Sequence, residues 1–370
     1  MAIVIQPYTA DLVPAVKAFN QRLEAGGIAR AFYFPEQHVP CWLPKLDGRR
    51  IYQEFYLAVE DESVRGGFSL KYQDFWLRDG VRTVGFYQMA ISEGIVNRTY
   101  FSVGVQMLRH AGKAQPMLFA LGMGGFDRPL PRMLKAMGWS LSAMPFYFKV
   151  NDPAAFIRNI AALRRSAIRR SLASFATRTG LGWMTIKTAH WMRSRAKDPA
   201  VCWEEVAGFG CWADELWENC SPRYLMIASR DSGTLNILYP SDKNFIRLRV
   251  SRESHVLGWA VLLDTQMAGN KYFGDLRVGS IVDCLAAPEH AFAVIQAATQ
   301  ALQERGVELI VSNQSHAAWG AAFRSAGFLP GPSNFIFAAS RKLAEKLGPL
   351  EKSRQEIFFN RGDGDGPVNL

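Results

Sequence analysis

Two stretches of this chain, about 190 residues apart, carry the same order of apolar segments, and this internal repeat constrains the fold more than any other feature. Each stretch opens with three segments that are typical of β-strands. In the first stretch these are residues 54–59, 65–77 and 84–91, and in the second they are residues 245–250, 255–264 and 278–285. A chain built in this way is expected to contain two similar strand meanders.

The segments that follow each meander also match. The order is helix, strand, helix, strand in both stretches, with the first helices predicted near residues 99–111 and 291–304. Three pairs of glycines repeat at offsets of 191, 194 and 189 residues: Gly67 with Gly258, Gly85 with Gly279, and Gly138 with Gly327. The last pair is expected to end a helix, where glycine adopts the left-handed conformation at low cost.

The length fits two domains and a connector. The chain has 370 residues, which is too long for one small core. We predict an α/β protein with two tandem domains, each a mixed, mostly antiparallel central sheet flanked by helices. The predicted boundaries are 1–150 and 205–345 for the domains, 151–204 for a basic helical linker, and 346–370 for a C-terminal tail.

The positive charge is concentrated in the predicted linker. The formal net charge is +10, and residues 151–200 contain ten basic and two acidic side chains. Residues 156–175 project as an amphipathic helix with arginines on one side. Such a helix could pack on the domains, lie peripherally on an anionic membrane, or bind a polyanion such as RNA. Because the rest of the chain is nearly neutral, a nucleic-acid partner is not expected.

The sequence contains no clear targeting signal and no cysteine pattern typical of disulfides or metal sites. The N-terminus lacks the pattern of a signal peptide, and no long apolar stretch would span a membrane. Five cysteines without a CxxC pair favour reduced, mostly buried thiols and no metal site. We expect a cytoplasmic protein. Its candidate for peripheral contact with a membrane is the segment 156–175.

The repeated order of strands and helices, with helices ending in AMGW and SAGF, resembles the GNAT superfamily of CoA-dependent N-acyltransferases. The resemblance covers residues 3–150 and 205–342, and residues 278–328 carry it best. A tandem pair also resembles the Fem-type peptidyltransferases and the acyltransferase-like proteins of polysaccharide gene clusters. The resemblance implies transfer of an acyl group from acetyl-CoA or another acyl-CoA to an amine acceptor, such as a sugar or cell-envelope precursor.

The loops that would hold the CoA pyrophosphate depart from the family pattern. The family places two spaced glycines between the central strand and its helix, where backbone N–H groups bind anions. Here the corresponding segments are SEGIVNRTY and AAPEHAF. The cofactor-binding residues implied in them, together with one at the end of the next strand, are Gly94, Asn97, Arg98, Ala287, His290 and Asn313.

Acyl transfer to an amine needs a base and donors that stabilise an oxyanion. By position at the end of each central strand, the candidate catalytic residues are Ser92, Glu93 and Asp283. For Ser92 and Glu93, the start of a capped helix explains the same residues without catalysis. His290 and His316, each at the start of a predicted helix, are further candidate bases, although a capping or surface position accounts for both more readily.

Two alternatives to acyl-CoA chemistry stay open. A Fem-type transferase would take an aminoacyl group from tRNA and use the basic segment for phosphate contacts. A catalytically silent GNAT-like module would bind a partner, which the degenerate phosphate loops favour. The acceptor and the active half are not determined by the sequence.

Overall fold

A computed structural model describes residues 3–159, 198–270 and 272–364. These residues form two compact units. Unit 1 comprises residues 1–143 and 334–353, and unit 2 comprises residues 144–333 and 354–370. Each unit is built around one central sheet flanked by helices.

The strands and helices follow the predicted order closely. The strands are β1 (Val4–Pro7), β2 (Tyr52–Glu60), β3 (Ser63–Leu77), β4 (Gly80–Ser92), β5 (Leu118–Gly122), β6 (Ser140–Ala143), β7 (Phe146–Val150), β8 (Val201–Glu205), β9 (Met226–Ala228), β10 (Ile246–Arg252), β11 (His255–Gln266), β12 (Arg277–Ala286), β13 (Leu309–Asn313), β14 (Leu329–Gly331) and β15 (Ile336–Ala339). The helices are α1 (Val13–Ala25), α2 (Val103–Ala114), α3 (Pro129–Ala136), α4 (Pro153–Asn159), α5 (Cys211–Cys220), α6 (Ser232–Leu238), α7 (Ala291–Glu304), α8 (Ala317–Ser325), α9 (Arg341–Leu347) and α10 (Leu350–Ser353).

The sheet of unit 1 runs in the order β1-β2-β3-β4-β5-β15-β6. Its strands pair antiparallel except β4 and β5, which are parallel. Helix α2 covers one face, and its apolar side chains form a core with Leu70, Tyr87 and Leu118. Helix α1 packs through a second apolar cluster that includes Phe34 and Leu57. The burial of these side chains is the main stabilising contribution to the unit.

The sheet of unit 2 runs in the order β14-β7-β13-β12-β11-β10-β8. Strands β12 and β13 are its parallel pair, and the others are antiparallel. Helix α7 packs against β11 and β12 and is buried on most of its circumference. The parallel pair occupies the middle of each sheet, so both units place their central strand in an equivalent position.

The two glycines predicted to end helices do so. Gly138 follows α3 with φ +82°, and Gly327 follows α8 with φ +84°. After each glycine, the aromatic residue donates its N–H back into the helix: Trp139 to the carbonyl of Leu134, and Phe328 to that of Phe323, both at 3.0 Å. This 6→1 bond closes the last turn of each helix and turns the chain toward the next strand.

The observed units differ from the predicted domain boundaries because two strands are exchanged between the halves of the chain. Strand β7 pairs with β13 and β14 in unit 2, and β15 pairs with β5 and β6 in unit 1. The first unit therefore ends at residue 143 and not at 150, and residues 334–353 belong to it. An apolar strand looks the same in sequence whichever sheet it joins.

The ends of the predicted linker belong to unit 2. Helix α4 packs there through Ala155 and Phe156, and β8 is an edge strand. The greater part of the basic segment, including most of the amphipathic helix predicted at 156–175, lies outside the described residues. Its proposed membrane and polyanion contacts stay predictions.

The tail predicted at 346–370 is also folded where it is described. Residues 346–353 continue into α9 and α10 of unit 1, and residues 354–364 belong to unit 2. Asp363 within them is buried. A short 3-10 helix lies at Arg361–Asp363.

The cysteines are less buried than predicted. All five are free thiols, and Cys41, Cys202 and Cys211 are exposed, whereas Cys220 and Cys284 are buried. Within the described ranges, no group of three or more His, Cys, Asp or Glu side chains could hold a metal ion. The same ranges contain no helix that is long and apolar enough to cross a membrane.

Candidate functional site

The two central strands of unit 1 separate along their length. Strands β4 and β5 pair at Gly85 with Leu118 and at Phe86 with Phe119. Beyond these pairs β4 continues to Ser92 beside β3, and β5 continues to Gly122 beside β15. Each strand is therefore held on its outer side while its inner edge is left without a strand partner in the described part of the unit.

A β-bulge accompanies the separation. The register between β3 and β4 shifts between Gly67 and Ser69, and Met89 on β4 has φ +54°. A bulge adds a residue to one strand, increases its twist and bends it away from a regular ladder. The bend starts where the pairing with β5 has ended.

Unit 2 repeats this arrangement. Strands β12 and β13 pair only from Val278 with Leu309 to Ser280 with Val311, although β12 continues to Ala286. The register between β11 and β12 shifts between Val261 and Leu262. Both units thus have a parallel central pair that opens toward its carboxyl end. We call the opening the splay of each unit. Strand edges without a strand partner can pair with an extended ligand.

Two buried hydroxyls on the central strands have no hydrogen-bond partner in the described structure: that of Tyr87, the first residue of β4 beyond the paired part, and that of Ser280, the last paired residue of β12. The two positions are not equivalent, because the repeat that pairs Gly85 with Gly279 aligns Ser280 with Phe86. Burial raises the pKa of Tyr87, so its hydroxyl stays protonated and remains a donor. Unsatisfied buried polar groups are uncommon and costly.

The predicted catalytic residues of unit 1 lie together at the carboxyl end of β4. Glu93 is buried in a 3-10 turn directly after Ser92. Its carboxylate accepts hydrogen bonds from the guanidinium groups of Arg22 at 3.0 Å and Arg65 at 3.2 Å. Ser92 makes no side-chain cap. The Glu93 carboxylate therefore lies between two guanidinium groups.

The predicted phosphate loop of unit 1 folds as two 3-10 turns before α2, at Glu93–Ile95 and Arg98–Tyr100. Gly94 has a packing role here, because a Cβ atom would stand 2.6 Å from the carbonyl oxygen of Tyr100. Asn97 caps the second turn by accepting the N–H of Thr99 at 3.1 Å. Arg98 is exposed. Of the residues implied in this loop, Arg98 is the one whose charge faces solvent.

The carboxylate of Asp283 in unit 2 accepts four hydrogen bonds. Its oxygens accept from Arg230 Nε at 3.0 Å, from the hydroxyl of Tyr239 at 2.8 Å, from Asn360 Nδ2 at 2.5 Å and from the N–H of Cys284 at 2.8 Å. Three of these donors reach Oδ1 and the Tyr239 hydroxyl reaches Oδ2, so the predicted base would accept a proton on Oδ2.

Sequence reasoning missed Arg230, the centre of this cluster. Its side chain is 1% exposed and also binds Asp363 at 2.8 Å, while the guanidinium lies 4.9 Å above the ring of Phe358. The acidic residue within an apolar strand was the one available signal, and it marked Asp283 without identifying its partner.

The remaining predicted residues of unit 2 do not form one group around an anion. Ala287 precedes a 3-10 turn at Pro288–His290 and accepts the N–H of His290. His290 makes no side-chain cap. Asn313 is buried at the end of β13, and its Oδ1 accepts from Arg361 at 3.4 Å. Asn313 therefore contacts the C-terminal segment of the chain.

His316 caps α8. Its Nδ1 accepts the N–H of Ala318 at 3.3 Å, and its ring packs edge-on against Tyr224, with centroids 5.0 Å apart. The hydroxyl of Tyr224 donates to the carbonyl of Ala286 at 2.7 Å and accepts from Trp319 at 2.9 Å. Burial lowers the pKa of His316 to about 4, so the imidazole is neutral at pH 7.

This burial predicts acid sensitivity. The unfolded chain binds a proton at His316 near its ordinary pKa of 6.5, whereas the folded protein binds it only near 4. Stability is therefore complete above pH 6.5 and falls as the pH is lowered toward 4. We expect His316 to lower the free energy of unfolding by about 2 kcal/mol between pH 7 and pH 5.

Denaturant titrations at both pH values, on the wild type and His316→Asn, measure this contribution. Asparagine retains an acceptor for the cap and does not titrate. The variant should lose about 2 kcal/mol of the pH dependence. Equal pH dependence in the wild type and His316→Asn would show that His316 protonates without cost.

No protein-family model and no curated protein matches this chain. Solved structures do match. A conserved protein of Enterococcus faecalis V583, described as a probable N-acyltransferase, is 10% identical, with a TM-score of 0.50 over 91% of this chain and 72% of its own. A tandem GNAT protein from the clavulanic acid biosynthesis pathway is 12% identical, with a TM-score of 0.51 over 91% of this chain and 98% of its own.

An N-myristoyltransferase of Saccharomyces cerevisiae, solved with myristoyl-CoA and inhibitors, is 9% identical, with a TM-score of 0.52 over 92% of this chain and 81% of its own. At such identities the likeness concerns the fold. It confirms the predicted class, an α/β protein with two mixed sheets flanked by helices. The chain has the tandem GNAT fold.

Proposed function

We propose that this protein is an acyltransferase that moves an acyl group from acyl-CoA to an amine acceptor. The observation that carries the proposal is the splay of the parallel central strands, which, in the described part of unit 1, leaves the edge of β4 that faces β5 without a strand partner beyond Phe86. An acyl-pantetheine chain is extended and carries amide groups, so it can pair with such an edge as a short strand would.

The reaction needs little from the protein besides positioning and charge stabilisation. The free amine attacks the thioester carbonyl, a C–N bond forms, and the C–S bond breaks. The thiolate leaves and is protonated, while the new amide loses the proton that the amine carried. In this proposal, backbone N–H groups between Tyr87 and Ser92 would donate to the carbonyl oxygen as it becomes negative.

Residues near the start of α2 would bind the charged end of the donor. Arg98 is the first residue of the second 3-10 turn, and its side chain is exposed. A guanidinium group pairs well with a pyrophosphate, and the positive end of the helix dipole adds to this attraction. Asn97 and Gly94 would shape the loop, and would not themselves have to touch the phosphates.

The acceptor we propose is an amine on a sugar or cell-envelope precursor. This choice is supported by the resemblance to acyltransferase-like proteins of polysaccharide gene clusters. The choice of acyl-CoA as donor is supported by the yeast N-myristoyltransferase, which was solved with myristoyl-CoA. The Fem-type alternative depends on the basic segment, most of which lies outside the described residues.

Calorimetric titration of the full chain with acetyl-CoA and with palmitoyl-CoA tests the donor. We expect at least one of them to bind with a Kd in the micromolar range, and free CoA to bind more weakly because it lacks the acyl group. Titration with dephospho-CoA is the matched control for the charged end. If neither thioester binds, acyl-CoA is not the donor.

A second candidate function is a GNAT-like module that binds the donor without turning it over. Both predicted bases favour it, since Glu93 is paired with two arginines and Asp283 with four donors. Release of free thiol from acetyl-CoA in the presence of amino sugars separates the two functions. For an enzyme that uses Glu93 as its base, Glu93→Gln should lower kcat at least 100-fold with little change in donor affinity.

A further inference from the structure

The part of unit 1 that contains α2 and α3 carries an excess of positive charge. Residues 94–143 contain six basic side chains and one acidic side chain, Asp127, whereas residues 1–93 contain ten basic and eleven acidic ones. All six basic side chains are exposed, and none of them forms an ion pair with another described residue. Arg98 is the one that the proposed function uses. The other five are Arg109, Lys113, Arg128, Arg132 and Lys135.

The two helices lie side by side on one face of the sheet. Met107 of α2 and Leu134 of α3 are both buried in the core beneath them. The helices are close together near their amino ends, because a Cβ atom on Gly104 would stand 3.3 Å from Sδ of Met133. Side chains of α2 and α3 that point away from this core therefore face outward on the same side of unit 1.

Four basic side chains occupy this outward side. Arg109 and Lys113 are four residues apart on α2, and both are exposed. Arg132 and Lys135 are three residues apart on α3, and both are exposed as well. Residues at these spacings lie on one face of a helix. We call the surface formed by these four side chains the basic face. It is broad, because α2 alone is about 18 Å long.

Bulky apolar side chains are exposed at one end of the basic face. Phe101, two residues before α2, is 77% exposed, and Phe126, three residues before α3, is 50% exposed. Both segments follow the carboxyl ends of the parallel strands β4 and β5, so they lie at the same edge of the sheet. Ile95 is 44% exposed and lies close to Phe101, since a Cβ atom on Gly94 would stand 2.9 Å from the Cα of Phe101.

A bilayer that contains anionic lipids matches both features. Lysine and arginine side chains are attracted to its negative surface potential, and phenylalanine side chains can enter the boundary between headgroups and acyl chains. A bilayer presents its charge continuously, so basic side chains spread along two helices can all interact with it. A nucleic acid would also attract the charge, but Ile95 has no ring on which a base could stack.

We propose that unit 1 binds the surface of a membrane containing anionic lipids through the basic face, with Phe101 and Phe126 inserted at the level of the headgroups. This inference does not depend on the proposed acyl transfer. It also assigns the contact to a part of the chain other than the basic segment at residues 151–200.

Sedimentation of the full chain with lipid vesicles at physiological salt tests the charged part of the proposal. Vesicles of equal parts phosphatidylcholine and phosphatidylserine should bind the protein at least tenfold more tightly than vesicles of phosphatidylcholine alone. The double variant Arg109→Glu with Lys135→Glu should weaken binding to the mixed vesicles at least tenfold, because two attractive charges become repulsive.

Lys17→Glu with Arg30→Glu is the matched control, since it makes the same change in net charge at exposed positions of unit 1. Lys17 lies on α1, which covers the other face of the sheet. Leu57 of β2 belongs to the α1 cluster and Ala58 to the core beneath α2, and successive side chains of a strand point to opposite faces. This control should weaken binding to the mixed vesicles less than threefold.

Phe101→Ser with Phe126→Ser tests the apolar part and should weaken binding to the mixed vesicles at least fivefold. Phe32→Ser is its control, because Phe32 is 67% exposed and lies next to Tyr33, which packs on the α1 cluster. It should change the affinity less than twofold. All three phenylalanines are half exposed or more, so these variants should unfold at the wild-type temperature.

Absence of binding to the mixed vesicles by the wild type would overturn the proposal. Binding that neither double variant weakens would place the contact on another surface, such as residues 151–200, and would overturn it equally. If the charge variant weakened binding, the phenylalanine variant did not, and tRNA competed with the vesicles, the basic face would be a nucleic-acid site instead. Titration with acyl-CoA is a separate measurement, so the proposed function stands or fails independently of these results.

Discussion

Replacing Arg230 with methionine is expected to lower the free energy of unfolding of unit 2 by about 3–5 kcal/mol. Methionine keeps much of the side-chain volume and removes the charge. Asp283 and Asp363 would then face each other in a site where both are almost fully buried, without a cation between them. Breaking a buried ion pair leaves an uncompensated charge, and that cost dominates the effect.

Denaturant unfolding at pH 7, with hydrogen exchange of residues 357–363 as the local probe, measures this loss. Arg223→Met is the matched control, because Arg223 pairs with Glu289 at 3.2 Å and both side chains are about half exposed. An exposed pair of this kind contributes less than about 1 kcal/mol. If the two variants lost equal stability, the cluster around Arg230 would not hold the C-terminal segment in place.

Replacing Gly94 with alanine should lower the free energy of unfolding of unit 1 by about 2–3 kcal/mol, in the absence of any ligand. The new methyl group would stand 2.6 Å from the carbonyl oxygen of Tyr100 and 2.9 Å from the Cα of Phe101. Both are backbone atoms, so the two 3-10 turns before α2 would have to move apart. The effect separates a packing role from the phosphate-binding role that the family resemblance implies.

Gly112→Ala is the control for this prediction. Gly112 lies in α2, and a Cβ atom there would meet nothing within 4 Å. Alanine in a helix interior is more stable than glycine by roughly 0.5–1 kcal/mol, so this variant should gain stability. Thermal unfolding of both variants without ligand provides the measurement. A Gly94→Ala protein as stable as the wild type would show that the turns can separate without cost.

The sequence predicted the order of elements well because that order depends on local patterns. The apolar period of each strand and helix is encoded within ten or so residues, and the glycines at 138 and 327 mark helix ends through a local backbone requirement. Helix α7 begins and ends at the predicted residues, Ala291 and Glu304. Nothing in these patterns indicates which sheet a strand such as β15 joins.

The site was less predictable, since its contacts are remote in sequence. Arg230 lies in a short polar stretch after β9, and its partners Asp283 and Asp363 are 53 and 133 residues further along the chain. The acidic residue in an apolar strand predicted a catalytic base at Asp283, and the structure places Asp283 in a buried ion pair with Arg230. A buried ion pair and a catalytic base can both place an acidic residue within an apolar strand. The pattern alone could therefore not separate them.

The exchange of β7 and β15 has a consequence for synthesis on the ribosome. The sheet of unit 1 needs β15 between β5 and β6, yet β15 emerges about 190 residues after β6. At roughly 5–20 residues per second, the nascent unit waits about 10–40 s with an incomplete sheet. The halves of this chain therefore cannot mature one after the other as independent co-translational domains, and a gene cut between them would encode two fragments that each lack a strand.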